Sequence, residues 1–140
     1  MYPYVTGEIF YSGEGFGFRV KNSGNGLAKV NSYCVFNDSI NFHSWLQVVQ
    51  HYMPEAKEID YGIIQTAGNI RNEMLIPKEE VLLFFLKWTP ETRVLQQRIG
   101  DLKISLCYSS LLDEHWSLEN GTPIQIDAPC QTDPEKEFSE

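Results

Sequence analysis

The sequence predicts a mainly β protein, an antiparallel β-sandwich of seven to eight short strands with two short helices in its connections. Three observations lead there. Short runs rich in Val, Ile, Phe and Tyr alternate with polar residues, turn residues separate them about every 8–12 positions, and only two stretches show helical spacing. With 140 residues, 42% hydrophobic and 13% aromatic, the chain has the size of one domain and too much apolar content for a disordered body. A fold of this length buries about two-thirds of the surface its unfolded chain exposes, a sufficient core without disulfide or metal staples.

Residues 1–11 mix Tyr, Val, Ile and Phe with polar neighbours, and Phe16, Phe18 and Val20 alternate with Gly17, Arg19 and Lys21, so both segments read as strands with one buried face. Asn22-Ser23-Gly24-Asn25-Gly26 is a run of residues that tolerate positive φ, hence a hairpin or corner, and residues 30–36 return as a strand. From Asn41 the period changes. Phe42, Trp45, Leu46, Val49, Tyr52 and Met53 recur at i, i+3, i+4 and i+7 until Pro54, which predicts one amphipathic helix. Residues 59–66 read as a strand closed by a turn at Ala67-Gly68-Asn69, and residues 74–76 as a short strand before the turn at Pro77-Lys78-Glu79.

The run Val81–Leu86 is apolar on both faces and belongs in the middle of a sheet, covered from both sides. Thr89-Pro90-Glu91 supplies an N-cap, a proline for the first turn and an early acid, and Gly100 follows as a C-cap, so a second helix is expected over 90–99. Residues 102–108, 113–118 and 123–126 complete the strands. The element order fits an immunoglobulin-like plan for a single domain over 1–130. From Gln131 the composition turns to Asp, Glu, Pro, Lys and Ser, and residues 131–140 are expected to be an acidic, flexible tail.

Nineteen acidic against 11 basic residues give a formal charge of −8. Binding to the nucleic-acid backbone needs clustered Lys and Arg, and none are clustered; an acidic surface suits basic partners or simple solubility. No apolar run approaches the roughly 20 residues of a membrane helix. The start, Met1-Tyr2-Pro3-Tyr4, has neither the basic nor the apolar region of an export signal. Cys34, Cys107 and Cys130 lack metal-ligand spacing and allow at most one internal disulfide. Whether Cys107 and Cys130 pair stays open, and free thiols fit a reducing compartment better than an oxidising one. The sequons at Asn37 and Asn120 are too short a pattern to carry weight.

One stretch, Gly17-Phe18-Arg19-Val20-Lys21-Asn22-Ser23-Gly24-Asn25-Gly26-Leu27-Ala28-Lys29-Val30, resembles the "strand, Asn-x-Gly-x-Gly-x-Ala, strand" corner of a family of uncharacterised bacterial proteins, in which an immunoglobulin-like domain follows a membrane anchor. Those domains carry a later signature of the form Cys-Tyr-Cys-Ser, a few residues, then Cys-Trp. Cys107-Tyr108-Ser109-Ser110 and His115-Trp116 are similar, with Ser109 and His115 where the family has cysteines. The paired absence is what the loss of one hairpin disulfide would look like. Trp45 and the Pro77-Lys78-Glu79 turn also fit, so the resemblance spans about residues 5–118. It implies the soluble part of a membrane-associated protein and no named activity. Since the anchor is missing, either Met1 opens an excised piece of a longer protein or the chain is a free-standing relative.

No catalytic, cofactor-binding or metal-binding residue is expected. Gly13-Glu14-Gly15-Phe16-Gly17 lacks phosphate-loop spacing and opens no helix, so it reads as a turn leading into a strand. His43 and His51 lie more than two helical turns apart and cannot share a metal. Cys107, His115 and Asp113 can be drawn as a nucleophile, base and orienting acid, but alternation sets Cys107 opposite Leu106 and Tyr108, and nothing supplies an oxyanion site. Glu79-Glu80 and Asp113-Glu114 are adjacent acids whose side chains diverge in extended backbone. The expected function is a non-catalytic interaction or accessory domain with a protein partner. An acidic inhibitor or immunity-type protein that covers a basic site is the alternative. Contacts are expected on exposed edge strands or over residues 37–54, with Phe42, Trp45, Tyr52 and Trp116 as candidate interface residues.

Overall fold

A computed structural model describes residues 2–54, 63–66, 70–119 and 121–138, with 63–66 as backbone alone. Two antiparallel sheets face each other across a shared core, in a mainly β, sandwich-like arrangement. The first sheet joins β1 (Val5–Tyr11), β2 (Gly15–Asn22), β7 (Glu80–Lys87) and β5 (Ile63–Thr66) in the order β1-β2-β7-β5. The second runs β10 (Ile124–Ile126), β9 (His115–Glu119), β8 (Lys103–Ser109), β3 (Ala28–Phe36) and β4 (Asn41–Phe42), and β6 (Met74–Leu75) also pairs with β3. The described residues thus hold ten strands where seven to eight are expected. β6 falls on the short strand expected at 74–76, whereas the two-residue β4 lies where the sequence period predicts the start of the helix. The first part of the expected 59–66 strand and the turn at 67–69 lie outside the described residues.

The corner at 22–26 turns on Asn22, which is fully buried. Its Oδ1 accepts from the Tyr4 and Gly24 amides, and its Nδ2 donates to the Gly26 and Leu75 carbonyls. Every polar position of that side chain is used, which is what burial of an amide demands. At Gly24 a Cβ would stand 2.2 Å from the Tyr2 carbonyl, so only glycine lets the N-terminal segment lie against the corner.

The both-faces apolar run becomes β7, central in its sheet as expected. A bulge helps explain its pattern: Phe18 pairs with Phe84 but Arg19 with Leu82, so Leu83 is an extra residue that stays buried. Helix α1 covers Trp45–Tyr52 and starts later than the period suggests. Ser44 caps it in an extended conformation, and the Asn37 side chain accepts from the Ser39 and Ile40 amides, so the chain folds Asn41–Phe42 back onto Val35 and Phe36 as β4. Helix α2 covers Pro90–Arg98 with the expected Thr89 cap, closed reciprocally by Thr92. It runs on into a 3-10 turn over Ile99–Asp101. The helices are tied together where Arg98 Nη1 donates to the Tyr52 carbonyl at 2.9 Å and Tyr52 Oη donates to Asp101 at 2.7 Å.

The tail departs from the flexible end its composition suggests. Residues 131–138 return to the domain, and Phe138 is 1% exposed, packed on Tyr33 and Trp45 with ring centroids 4.9 and 5.5 Å away. Its amide donates to the Tyr33 carbonyl, while the buried Glu137 carboxylate accepts from the Tyr33 amide at 3.1 Å and the Ser32 hydroxyl at 2.7 Å. One aromatic ring offsets the polarity of its neighbours. Phe138→Ala is expected to cost about 3–5 kcal/mol, the range for emptying a buried phenylalanine site, in urea unfolding, whereas Glu135→Ala at an exposed position leaves the midpoint in place.

Burial raises three tyrosine hydroxyls. Tyr52 and Tyr108 are pushed up to about 12, Tyr52 also by the Asp101 carboxylate beside it, and Tyr33 is raised as well. The folded state therefore holds these protons after the unfolded chain has lost them. Stability is fully present below pH 10 and falls as pH rises through 12, a decline that thermal melts across that window will register.

Candidate functional site

Three features stand apart from ordinary packing. The first is an aromatic end, where the N-terminal segment held by Asn22 meets the β8–β9 hairpin. Tyr2 is 60% and Tyr4 46% exposed, and Trp116 stands edge-on to Tyr2 and stacked on the buried Tyr108. These rings, with Pro3, Glu114 and Gln125, form a shallow groove. The hairpin that carries Trp116 ends in Leu111 and Leu112, 71% and 75% exposed, followed by Asp113 at φ 62°. Two adjacent leucines held out at a hairpin tip have no packing role in this domain, and apolar groups so displayed mark surfaces that bind.

The second is a cleft of about 410 Å³ that opens between the sheets along β1. Phe18, Val20 and Leu83 from one sheet and Ile104 and Leu118 from the other form its floor, and Ile99, Gly100 and Leu102 after α2 form its roof. At one end Gln96 donates a hydrogen bond to the Tyr11 hydroxyl at 3.3 Å.

The third is the carboxylate of Glu137 beneath the tail. Besides Ser32 and the Tyr33 amide it takes the Cys34 thiol at 2.9 Å and lies 3.7 Å from Arg71. Burial pushes the thiol up to about 12, and the hydrogen bond to Glu137 and its charge add to the shift. The group is set to be a proton donor and a poor nucleophile.

The candidate interface residues separate sharply. Phe42, Trp45 and Tyr52 are 0%, 3% and 9% exposed and belong to the core, so a partner does not reach them. The same i, i+3, i+7 stripe that predicts a helix predicts this outcome, because the face it defines is the buried one. Trp45 stacks on Phe84 at 4.4 Å and on Phe18 at 5.7 Å. Trp116 alone of the four reaches the surface, at the aromatic end. Tyr2, Tyr4, Leu111 and Leu112, which are not among the four candidates, are exposed at this end. The signal at the hairpin was two leucines set in a polar turn, where alternation breaks down.

Cys107 corrects the expectation of reduced thiols. It is bonded to Cys130, because the chain after β10 comes back across the outer face of β8, where alternation had put Cys107. A disulfide sulfur is no nucleophile, so the imagined triad is incomplete. Its other half is present: His115 Nε2 lies 3.4 Å from Asp113, which is 93% exposed. His51 is exposed at the end of α1, while His43 precedes the helix and its Nδ1 lies 3.0 Å from the Glu137 carbonyl. Among the described residues no three His, Cys, Asp or Glu side chains gather as a metal site, and no helix is long and apolar enough to cross a membrane. Asn37 is buried with its amide nitrogen on Tyr52 Oη, which closes that sequon to modification.

No family model, no curated protein and no solved structure matches the chain.

A docked tail has a chemical signature at Cys34. Iodoacetamide should label it slowly at pH 8 in the folded protein. Glu137→Gln removes the charge that helps to hold the proton on sulfur and should speed labelling, as followed by intact mass; a wild-type rate equal to that of an unfolded thiol would contradict the docking.

Proposed function

We propose that this chain is a non-catalytic interaction domain that meets a protein partner at its aromatic end. The observation that carries the reading is the exposure of Leu111 and Leu112 at the tip of the hairpin whose second strand carries Trp116, with Tyr2 and Tyr4 exposed in the groove that Trp116 lines. Tyrosine and tryptophan suit such a surface because they bring large area at small conformational cost. Glu114 borders the groove and Asp113 follows the leucines in the hairpin, and with the overall charge of −8 they favour a basic partner through faster encounter and like-charge rejection of acidic competitors.

In this reading the domain is the soluble part of a membrane-associated bacterial protein built on an immunoglobulin-like sandwich. The resemblance over residues 5–118 and the two facing antiparallel sheets support that setting. The acidic rim supports a second reading on the same surface, a free-standing inhibitor or immunity-type protein that covers a basic site. The two differ in partner and share the contact residues.

The test is capture from the cells of origin with wild-type protein and with the Tyr2→Ala/Leu112→Asp double variant. Both positions are exposed, so the variant should keep the wild-type melting temperature and lose the captured protein. Added salt should weaken the wild-type complex if the partner is basic. Capture that survives the double substitution would remove the proposal.

A further inference from the structure

We infer that the cleft between the sheets is a second, independent binding site, for an uncharged, elongated apolar small molecule bearing one hydroxyl, carbonyl or amide group. Its volume of about 410 Å³ lies within the range of small-molecule sites, which are mostly apolar with a few placed polar groups. This cleft has that composition. Its floor and roof are aliphatic and aromatic, and its polar side-chain pair is Tyr11 with Gln96, a hydroxyl and an amide able to exchange their mutual hydrogen bond for bonds to a ligand.

The space exists because of a missing side chain. The inward row of β1 runs Val5, Gly7, Ile9, Tyr11, and at Gly7 a Cβ would stand 3.6 Å from Val20 Cγ1 and 3.8 Å from Leu118 Cδ2, ordinary contact distances. A larger residue is sterically admissible there, and glycine in a strand interior weakens the strand. A residue chosen only for stability would fill the position; glycine leaves it open. At the rim, a Cβ on Gly100 meets nothing within 4 Å.

Charge selects the ligand class. Arg19 is the one cation among the residues that border the cleft, and it is already paired with Glu8 and Glu80. Glu8 and Arg19 lie on the outward row, opposite Gly7 and Val20, so that pair sits on the other face of the sheet and an anionic headgroup would find no positive charge in the cleft. A neutral polar end meets Tyr11 and Gln96.

The test is a fluorescence titration with the neutral probe N-phenyl-1-naphthylamine. Wild-type protein should bind it saturably, one per chain, and should bind the anionic 1-anilinonaphthalene-8-sulfonate more weakly. Gly7→Leu fills the floor and should weaken neutral-probe binding by about tenfold or more, the scale of one buried apolar side chain, while the melting temperature holds or rises. Gly100→Phe, from the opposite wall, should weaken it as well and carries the test should Gly7→Leu lower the melting temperature. Tyr2→Ala/Leu112→Asp should leave the probe bound. Absence of saturable binding, indifference to both glycine substitutions, equal affinity for the anionic probe, or loss of the probe with Tyr2→Ala/Leu112→Asp would each overturn the inference.

Discussion

The buried strand β3 has one continuous partner, β8, and its other edge has none. A buried backbone amide or carbonyl without a partner costs free energy on the scale of a lost hydrogen bond, so that edge must be completed somehow. The chain completes it in pieces. β6 pairs at Ala28 and Lys29, the Asn72 amide and Glu73 carbonyl meet Val30, the tail meets Tyr33, and β4 pairs at Val35 and Phe36. Three segments from distant parts of the sequence, 41–42, 72–75 and 137–138, are brought together by this requirement. Each leaves its own mark nearby: Asn22 holds β6 through Leu75, Asn37 holds the turn into β4, and Glu137 supplies the acceptor that a missing strand would have offered.

This explains why the tail closes a core it does not resemble in composition. Glu137 and Phe138 act as a two-residue substitute for a strand, the carboxylate facing the amide and the ring filling the space beside Trp45. A carboxylate is expensive to bury, and it is offset here by a hydroxyl, a thiol and an amide that donate to it, with Arg71 close by. The opposite economy rules at the proposed sites. Where packing is incomplete, at Gly7 and at the leucine tip, nothing in the chain makes up the deficit, and that contrast is why those places are read as functional.

Periodicity carried most of the fold. The alternations of β2 and β8, the cap and proline of α2, the corner at Asn22 and the central position of β7 are local properties that survive into the structure because tertiary contacts agree with them. What failed was non-local. Nothing near Cys107 announces Cys130, since the covalent pair is set by the path of the chain after β10. Nothing in an acidic decapeptide marks one phenylalanine as core until the vacancy beside Tyr33 is known. The candidate interface over 37–54 fails for another reason: its large rings lie on an amphipathic stripe, where a ring is a sign of burial, as Phe42, Trp45 and Tyr52 show. The cleft was illegible because its cause is an absence, a glycine whose inward direction depends on the register between β1 and β2.

The disulfide and the tail belong to one argument. Cys130 is fixed on β8, and Phe138 sits on the far edge of β3, the next strand, so the chain between them has to cross about two strand spacings, roughly 10 Å. The eight steps from Cys130 to Phe138 can span more than twice that, about 26 Å, and the excess is taken up by the turn in which the Lys136 and Glu137 amides both donate to the Asp133 carbonyl. A tether this short keeps Glu137 and Phe138 near the β3 edge at a high effective concentration, so closing the sheet costs the ordering of a few residues and not the search of a free end. The acidic residues of the segment can then remain in solvent on the outside of that turn, where their mutual repulsion is screened, while two residues do the packing. A composition that reads as disorder is thereby compatible with a docked chain, because the covalent anchor has already reduced the entropy that disorder would otherwise keep.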